Sequence, residues 1–177
     1  MTFVAYRAMR AALLDPAVYE EVEADASATF PAVALVLLSS VAAGFGASGW
    51  SGPSWPTQLA ITAIAFVSWA SWAVLVLQIG SRWLPEPRTR ADTGQLLRTL
   101  GFAAAPGLLQ VFGMLPPLTI PVFVIAWAWM FAAMVVAIRQ ALDYEHTSRA
   151  IAVTAAALVL VVGIVLAAGW LFGPVAS

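Results

Sequence analysis

Long runs of apolar residues, separated by short polar stretches, dominate this chain. No Asp, Glu, Lys or Arg lies within 32–80, 100–138 or 150–177. A helix needs about 20 apolar residues to cross the roughly 30 Å of bilayer hydrocarbon. The pattern therefore predicts an all-α integral membrane protein with five transmembrane helices, preceded by a short interfacial or cytoplasmic helical region at 1–30. The predicted spans of the 31–177 domain are 32–49, 58–80, 95–115, 118–138 and 150–172.

The basic residues distinguish the two sides of the membrane. If the five spans alternate in direction, all eight basic residues fall on the side that holds the N-terminus. They are Arg7, Arg10, Arg82, Arg88, Arg90, Arg98, Arg139 and Arg149. The nine acidic residues fall on that side too. Because short cytoplasmic loops carry an excess of Lys and Arg, this predicts a cytoplasmic N-terminus and an external C-terminus.

The first 30 residues predict two short helices before the membrane. Asp15 followed by Pro16 is typical of a helix N-cap and first turn. The preceding stretch, 1–14, carries Tyr6, Met9 and Leu13 on one side. That arrangement favours an interfacial helix that lies on the inner leaflet.

Pro106 and Gly107 interrupt the third span. Proline removes a backbone donor, so the helix should kink or break, and the freed carbonyl needs a partner from a neighbouring helix or a water. One interpretation is a hinge or the wall of a small polar cavity. The interpretation we favour is a packing kink, in which Ala103 and Gly107 form a close helix contact. Arg98, one turn inside this span, can snorkel to the interface or pair with Asp143 or Glu145.

The connection between the fourth and fifth spans holds the densest group of chemically active side chains. Arg139 and Asp143 can pair if the fourth helix continues past them. One histidine and two carboxylates at these spacings are too few for a metal site, so we predict no metal and no cofactor. Catalysis at Thr147 or Ser148 needs a base and an orienting group. We favour a solvated turn with salt bridges to Arg98 or to the loop of Arg88 and Arg90. The candidate residues here are Arg139, Asp143, Tyr144, His146 and Arg149.

Composition narrows the function classes. The chain is 62% hydrophobic and 10% charged, far from the roughly 25% charged residues of soluble domains. It has no cysteine, which excludes disulfides and thiolate chemistry, and its net charge of −1 gives no argument for nucleic acid binding. Abundant alanine and the absence of lysine indicate high-GC codon usage, and hence a bacterial cytoplasmic (inner) membrane.

Two segments resemble the bacterial branch of the Yip-one family of Ypt/Rab-interacting proteins. They are LLRTLGFAAAPGLLQVFG at 96–113 and MVVAIRQALDYEHTSRAI at 134–151, and LDPAVYEEVEAD at 14–25 fits the same picture. The resemblance implies a five-span architecture. Eukaryotic members bind prenylated Rab GTPases and act in vesicle trafficking or membrane shaping, but their DLYGP-type motif is not evident here. The resemblance singles out the positions Arg98, Pro106, Gly107, Asp143, Tyr144 and Arg149.

Three function classes follow from these observations. The first is a non-enzymatic membrane scaffold or adaptor, which contacts the lipid bilayer and binds a membrane-protein partner or forms a homo-oligomer through its charged face. The second is a small transporter or channel built around the Pro106–Gly107 break and the Ser68, Ser71 and Gln78 face of the second span. The third, which we disfavour, is an interfacial enzyme that uses His146. We predict the first, because the polar residues collect at the cytoplasmic rim and no ionisable residue lies mid-membrane.

Overall fold

The structure, a computed structural model, describes residues 2–87, 89 and 92–172. The described residues contain eight α-helices in chain order. They are α1 (Thr2–Ala12), α2 (Pro16–Ala24), α3 (Thr29–Gly46), α4 (Ser48–Ser51), α5 (Trp55–Gln78), α6 (Thr93–Ala103), α7 (Thr119–Ala141) and α8 (Thr147–Phe172). A π-turn, Ile79–Trp83, follows α5, and a 3₁₀ segment, Ala105–Met114, follows α6.

Five of the described helical segments are long and apolar enough to cross a membrane, which confirms the predicted number. They are Ala26–Ser51, Trp55–Trp83, Thr93–Met114, Pro116–Ala141 and Thr147–Ile164. The third is 67% buried and the first 56%, whereas the second, fourth and fifth are 17%, 28% and 22% buried. The first and third spans therefore form the centre of the bundle, and the other three lie around them with broad faces towards lipid.

Capping hydrogen bonds confirm the predicted start of α2 and define the start of α6. The Asp15 carboxylate accepts from the backbone N–H of Ala17 at 3.0 Å, with Pro16 in the first turn. The Asp92 carboxylate accepts from the N–H of Gln95 at 2.8 Å. Each carboxylate satisfies a donor that the first turn leaves open. The caps fix where α2 and α6 begin, and both lie on the surface that carries the charged connections.

The break predicted at Pro106 is present. Helix α6 ends at Ala103, and the chain continues as the 3₁₀ segment to Met114. The carbonyl of Ala104 accepts a hydrogen bond from the Ser39 hydroxyl of α3 at 2.7 Å. The same carbonyl also accepts from the backbone N–H of Gly107, so the Ser39 hydroxyl adds a second hydrogen bond that joins α3 to the break. Pro106 and Gly107 are buried, and a Cβ at Gly107 would meet Met130 and Ser39, so the break is a packing feature.

The N-terminal helices form a hairpin that docks onto the bundle. Helix α2 contacts α6 and α7, and α1 contacts α2, α6 and the 3₁₀ segment. The indole N–H of Trp129, in the middle of α7, donates to the carbonyl of Ala12 at 2.6 Å. The side chains of Tyr6, Met9 and Leu13 share an exposed side, as predicted. However, α1 is held against the spanning helices, which the sequence alone did not indicate.

Ion pairs within the hairpin neutralise its two arginines. Arg7 lies 2.6 Å from Asp25, and Arg10 lies 2.7 Å from Asp15 and 2.6 Å from Glu21. Serine and guanidinium hydrogen bonds hold the pKa of Asp25 down at about 2. The hairpin therefore presents no unpaired arginine charge to the helices against which it packs.

The bundle has two unlike ends. We call the end formed by the hairpin and by the α5–α6 and α7–α8 connections the charged surface. We call the other end, formed by α4 and by the turn Pro116–Leu118, the neutral surface. Exposed Trp50 and Trp55 lie at the neutral surface, and exposed Trp83 lies at the charged surface. Such rings favour the headgroup level, which agrees with the predicted limits of the second span.

Candidate partner-binding site

Helix α7 ends in a tight backbone motif that sets the shape of the α7–α8 connection. The N–H of Tyr144 donates to the carbonyl of Arg139, and the N–H of Asp143 donates to that of Gln140. Asp143 has φ +52°, the left-handed conformation for which glycine is usual at this position. Since the helix stops at Ala141, the predicted pairing of Arg139 with Asp143 does not form, and that prediction is wrong. The Arg139 guanidinium instead lies 3.4 Å from the carbonyl of Tyr144.

Tyr144 ties this connection to the end of α5. Its side chain is buried, and its hydroxyl lies 2.9 Å from the carbonyl of Gly80 and 3.0 Å from that of Leu84. The first carbonyl belongs to the π-turn and the second to the residue that follows it, where the regular helix pattern has stopped. Burial, and then the negative charge of Glu86, raise the pKa of Tyr144 to about 12. The phenol therefore remains a neutral donor at physiological pH.

Glu86 is the second link between the two connections. Its side chain is only 7% exposed, and its carboxylate accepts from the N–H of Glu145 at 2.7 Å. The same carboxylate lies 3.4 Å from Nδ1 of His146 and 4.0 Å from Nε of Arg149. The Glu145 backbone, His146 and Arg149 are thus held by one acidic side chain that the sequence analysis did not identify.

A polar cleft opens beside these links. Its volume is about 690 Å³, and its lining residues are Pro87, Thr89, Arg139, Gln140, Asp143, Tyr144 and Glu145. The side chains of Arg139 and Asp143 are exposed, while the backbone that carries them is fixed by the helix-ending motif. The cleft therefore presents charges of both signs on a rigid frame, which is the arrangement that charge-complementary recognition needs.

Arg98 of α6 holds the end of α2 at the charged surface. The Arg98 guanidinium donates to the carbonyls of Val22 and Glu23, the last turn of α2. The predicted pairing of Arg98 with Asp143 or Glu145 is therefore wrong, because the guanidinium caps a helix end instead. Burial and then the nearby charge of Asp143 raise the pKa of Glu23, and Arg98 opposes that shift. The negative charge of Asp143, beside the cleft, therefore lies close enough to that of Glu23 to repel it.

Residues 10–169 match the family model described as the Yip1 domain. The chain belongs to the Yip1 family. Both segments on which the resemblance was stated, 96–113 and 134–151, lie inside the matched range. No curated protein and no solved structure matches this chain.

The structure divides the selected residues of this Yip1-family protein into three groups. Arg139, Asp143 and Tyr144 line the cleft, and His146 and Arg149 lie beside it next to Glu86. Arg98, Pro106 and Gly107 lie in helix packing elsewhere. The predicted salt bridges to Arg88 and Arg90 involve residues outside those that the structure describes.

The catalytic alternative gains no support from the geometry around His146. The imidazole side chain is 72% exposed, and its contact with Glu86 orients one ring nitrogen. A nucleophile must lie within hydrogen-bond reach of such a base. Among the described residues, neither Thr147 nor Ser148 forms a hydrogen bond with the ring.

Proposed function

We propose that this protein is a non-enzymatic membrane scaffold or adaptor, and that the polar cleft on its charged surface binds another membrane protein or a second copy of the chain. The observation that carries the proposal is the combination of a fixed frame with exposed charges. Tyr144 and Glu86 hold the two connections together, while Arg139 and Asp143 face outward. Left-handed backbone at a non-glycine residue costs free energy, and such positions cluster at functional sites.

We further propose that the charged surface faces the cytoplasm of a bacterium and that the protein lies in its cytoplasmic membrane. The arginine distribution supports this orientation, because basic connections are retained on the cytoplasmic side. A partner that binds the cleft would then be a membrane protein with a cytoplasmic segment, or a peripheral protein bound to one.

Crosslinking from the cleft tests the proposal. A photoreactive amino acid is placed at Gln140 in the cleft, and at Arg82, exposed on the same surface but outside the cleft lining. After irradiation of whole cells, the tagged protein is extracted and its crosslinked products are identified by mass spectrometry. We expect a defined product from position 140, a partner or a dimer, and none from 82. Equal products from both positions, or none from either, would refute the cleft as the binding site.

Charge reversal provides the matched energetic test. We expect Asp143→Arg to lower recovery of the partner by about tenfold, equivalent to about 1.4 kcal/mol of binding free energy. Arg82→Glu, which reverses a charge on the same surface, should leave recovery unchanged. A similar loss in both variants would mean that overall charge, rather than the cleft, governs association.

The transporter alternative has weaker structural support. Pro106 and Gly107 are buried between α3 and α7, and neither lines either of the two cavities described. On the predicted polar face of α5, Ser68 lines a cavity but Ser71 is exposed on another side. That cavity is lined mainly by apolar side chains, which is the opposite of what passage of a polar solute requires.

A further inference from the structure

A cavity of about 580 Å³ lies inside the membrane-spanning part of the bundle. It is bounded by α3, α5, α7 and α8, together with Ala104 and Gln110. Of its 22 lining residues, 17 are apolar. Ligand pockets in proteins measure roughly 300–1,000 Å³, and they are mostly apolar with a few polar groups.

Four polar side chains of the lining have partners within the protein, whereas the indole N–H of Trp69 is buried without one among the described residues. The hydroxyls of Ser39, Ser40 and Thr154 donate to the carbonyls of Ala104, Val36 and Ala150. The Gln110 amide lies 3.7 Å from the sulfur of Met130. An ordered water needs two to four polar partners, and apolar cavities of about 150 Å³ already stay dry and bind small hydrocarbons. This larger cavity therefore favours a hydrocarbon occupant over water.

The position of the cavity along the helices identifies which hydrocarbon can reach it. On α8 the lining runs from Thr154 to Leu166, a separation of twelve positions or about 18 Å at 1.5 Å per residue. This length is a little more than half of the roughly 30 Å hydrocarbon core. At the end nearer the charged surface, the buried side chains of Trp72, Met134 and Thr154 close the cavity.

The other end of the cavity lies towards the neutral surface. Among the described residues of α8, the fully buried ones lie in its first eleven positions, 147–157, and the side chains beyond them are exposed or half-buried. In α5 the buried residues likewise lie in the half nearer the charged surface: Trp72, Ala73 and Val76. Near the neutral surface α5 packs closely against α3 at Gly44, whereas α8 is loosely packed there, where acyl chains of that leaflet surround it.

We propose that the cavity binds one acyl chain of a membrane phospholipid. The chain enters from the leaflet at the neutral surface, with its carboxyl end near Ile61 and Phe123 and its methyl end near Trp72 and Met134. The proposal is independent of the adaptor function, because it concerns the opposite half of the molecule. Its occupant is a single chain with a defined direction, which distinguishes it from the annular lipid that coats any spanning helix.

Depth-resolved photolabelling tests the direction. The protein is reconstituted with phospholipids that carry a diazirine either near the acyl carboxyl group or near the chain terminus, and labelled peptides are mapped by mass spectrometry. We expect the first probe to label the segments around Ile61 and Phe123, and the second to label those around Trp72 and Met134. Labelling spread equally over outward residues such as Val67 and Val74 would show annular lipid only and overturn the proposal. So would crosslinks from the cavity to a second copy of the chain.

A pair of variants on one helix tests occupancy. Ala65 lines the cavity, whereas Ala63, two residues earlier, is exposed and does not line it. Ala65→Phe should abolish labelling inside the cavity, and Ala63→Phe should preserve it. If Ala65→Phe fails to yield monodisperse protein, Ser68→Leu provides a smaller side chain at a neighbouring lining position. Unchanged cavity labelling in the folded filling variant would refute the proposal.

Discussion

The two halves of the bundle are held together by different kinds of contact. Near the charged surface, side chains reach across from one connection to another: Tyr144 to Gly80, Glu86 to Glu145, Arg98 to the end of α2. Near the neutral surface, helices meet through their backbones. At Gly46 a Cβ would lie 2.0 Å from the carbonyl oxygen of Gln110, and at Gly44 it would lie 2.6 Å from that of Gln58.

This difference shows how a chain with few polar residues obtains a specific structure in lipid. Lipid tails are as apolar as leucine, so burial of apolar surface does not drive helices together, and close packing of small residues replaces it. Close packing of small residues holds α3, α5 and the 3₁₀ segment together. The half of α8 near the neutral surface remains loosely packed. The charged half adds hydrogen bonds and ion pairs, and those contacts position the cleft.

The largest effect should come from filling the closest backbone contact. Gly46→Ala would force α3 from the 3₁₀ segment, because no side-chain motion can relieve a clash with the Gln110 backbone. We expect a loss of about 3 kcal/mol of unfolding free energy, measured as thermal unfolding in detergent. Gly163→Ala is the control, since nothing lies within 4 Å of its added methyl group and helix propensity should make it neutral or stabilising. Equal melting temperatures for the two variants would contradict the interpretation that α3 and the 3₁₀ segment meet through their backbones.

Arg98→Ala should detach the hairpin. It removes the donor that satisfies the last carbonyls of α2, and hydrogen bonds from charged groups contribute about 2 kcal/mol. Hydrogen exchange should then rise at the amides of 17–24 and leave those of α5 unchanged. Asp143→Ala is the comparison. If it raised exchange in α2 as much as Arg98→Ala does, the original pairing idea would regain support.

Tyr144→Phe should loosen the link between the two connections at a cost of about 1.5 kcal/mol, because two carbonyls lose their shared donor. The pKa of this phenol is raised from 10.0 to about 12, so its contribution is complete below pH 10 and is lost as the pH rises through 12. Thermal melts between pH 9 and pH 12 should therefore fall more steeply for the wild type than for Tyr144→Phe. If the melting temperatures of the wild type and Tyr144→Phe fell equally with pH, the role assigned to the Tyr144 hydroxyl would be contradicted. Tyr6→Phe, at an exposed position, serves as control.

The smallest expected effect is a gain in thermal stability. Asp143→Gly relieves a left-handed conformation that costs an ordinary residue about 1 kcal/mol, so the variant should melt at a higher temperature. It should also bind the partner less well, because it removes a carboxylate from the cleft. Asp143→Asn, which keeps a side chain that tolerates this conformation, should show the binding loss without the full gain. If Asp143→Gly gained stability and still bound the partner as well as the wild type, the carboxylate would have no role in recognition.

The sequence predicted the spans because their apolar runs are long, but it placed four helix starts, those of α3, α5, α6 and α8, two or three residues late. Thr29, Thr93 and Thr147 begin α3, α6 and α8, yet polar residues at those places look like flanking loop. The break at Pro106 and the caps at Asp15 and Asp92 were predictable, because each depends on one residue and its near neighbours. These features are local, and local chemistry can be read from sequence.

The site was less predictable, because its contacts join distant parts of the chain. Glu86, in the Pro-flanked PEP stretch, shows no periodicity, and its contact with the Glu145 amide spans 59 residues. The left-handed turn at Asp143 ends α7 before an i, i+4 pair can form. Glycine at this position would have predicted such a helix end, whereas aspartate does not. The cavity depends on how four helices pack against one another, which no sequence pattern predicts.

The docked hairpin has a consequence for the order in which the protein is assembled. The hydrogen bond between Ala12 and Trp129 joins residues 117 positions apart. At a synthesis rate of about 5–20 residues per second, roughly 5–21 s pass between completion of the hairpin at Asp25 and synthesis of Trp129. The acids with which its arginines pair, Asp15, Glu21 and Asp25, are made alongside them. The hairpin can thus complete its own charge neutralisation early and dock later onto α6 and α7.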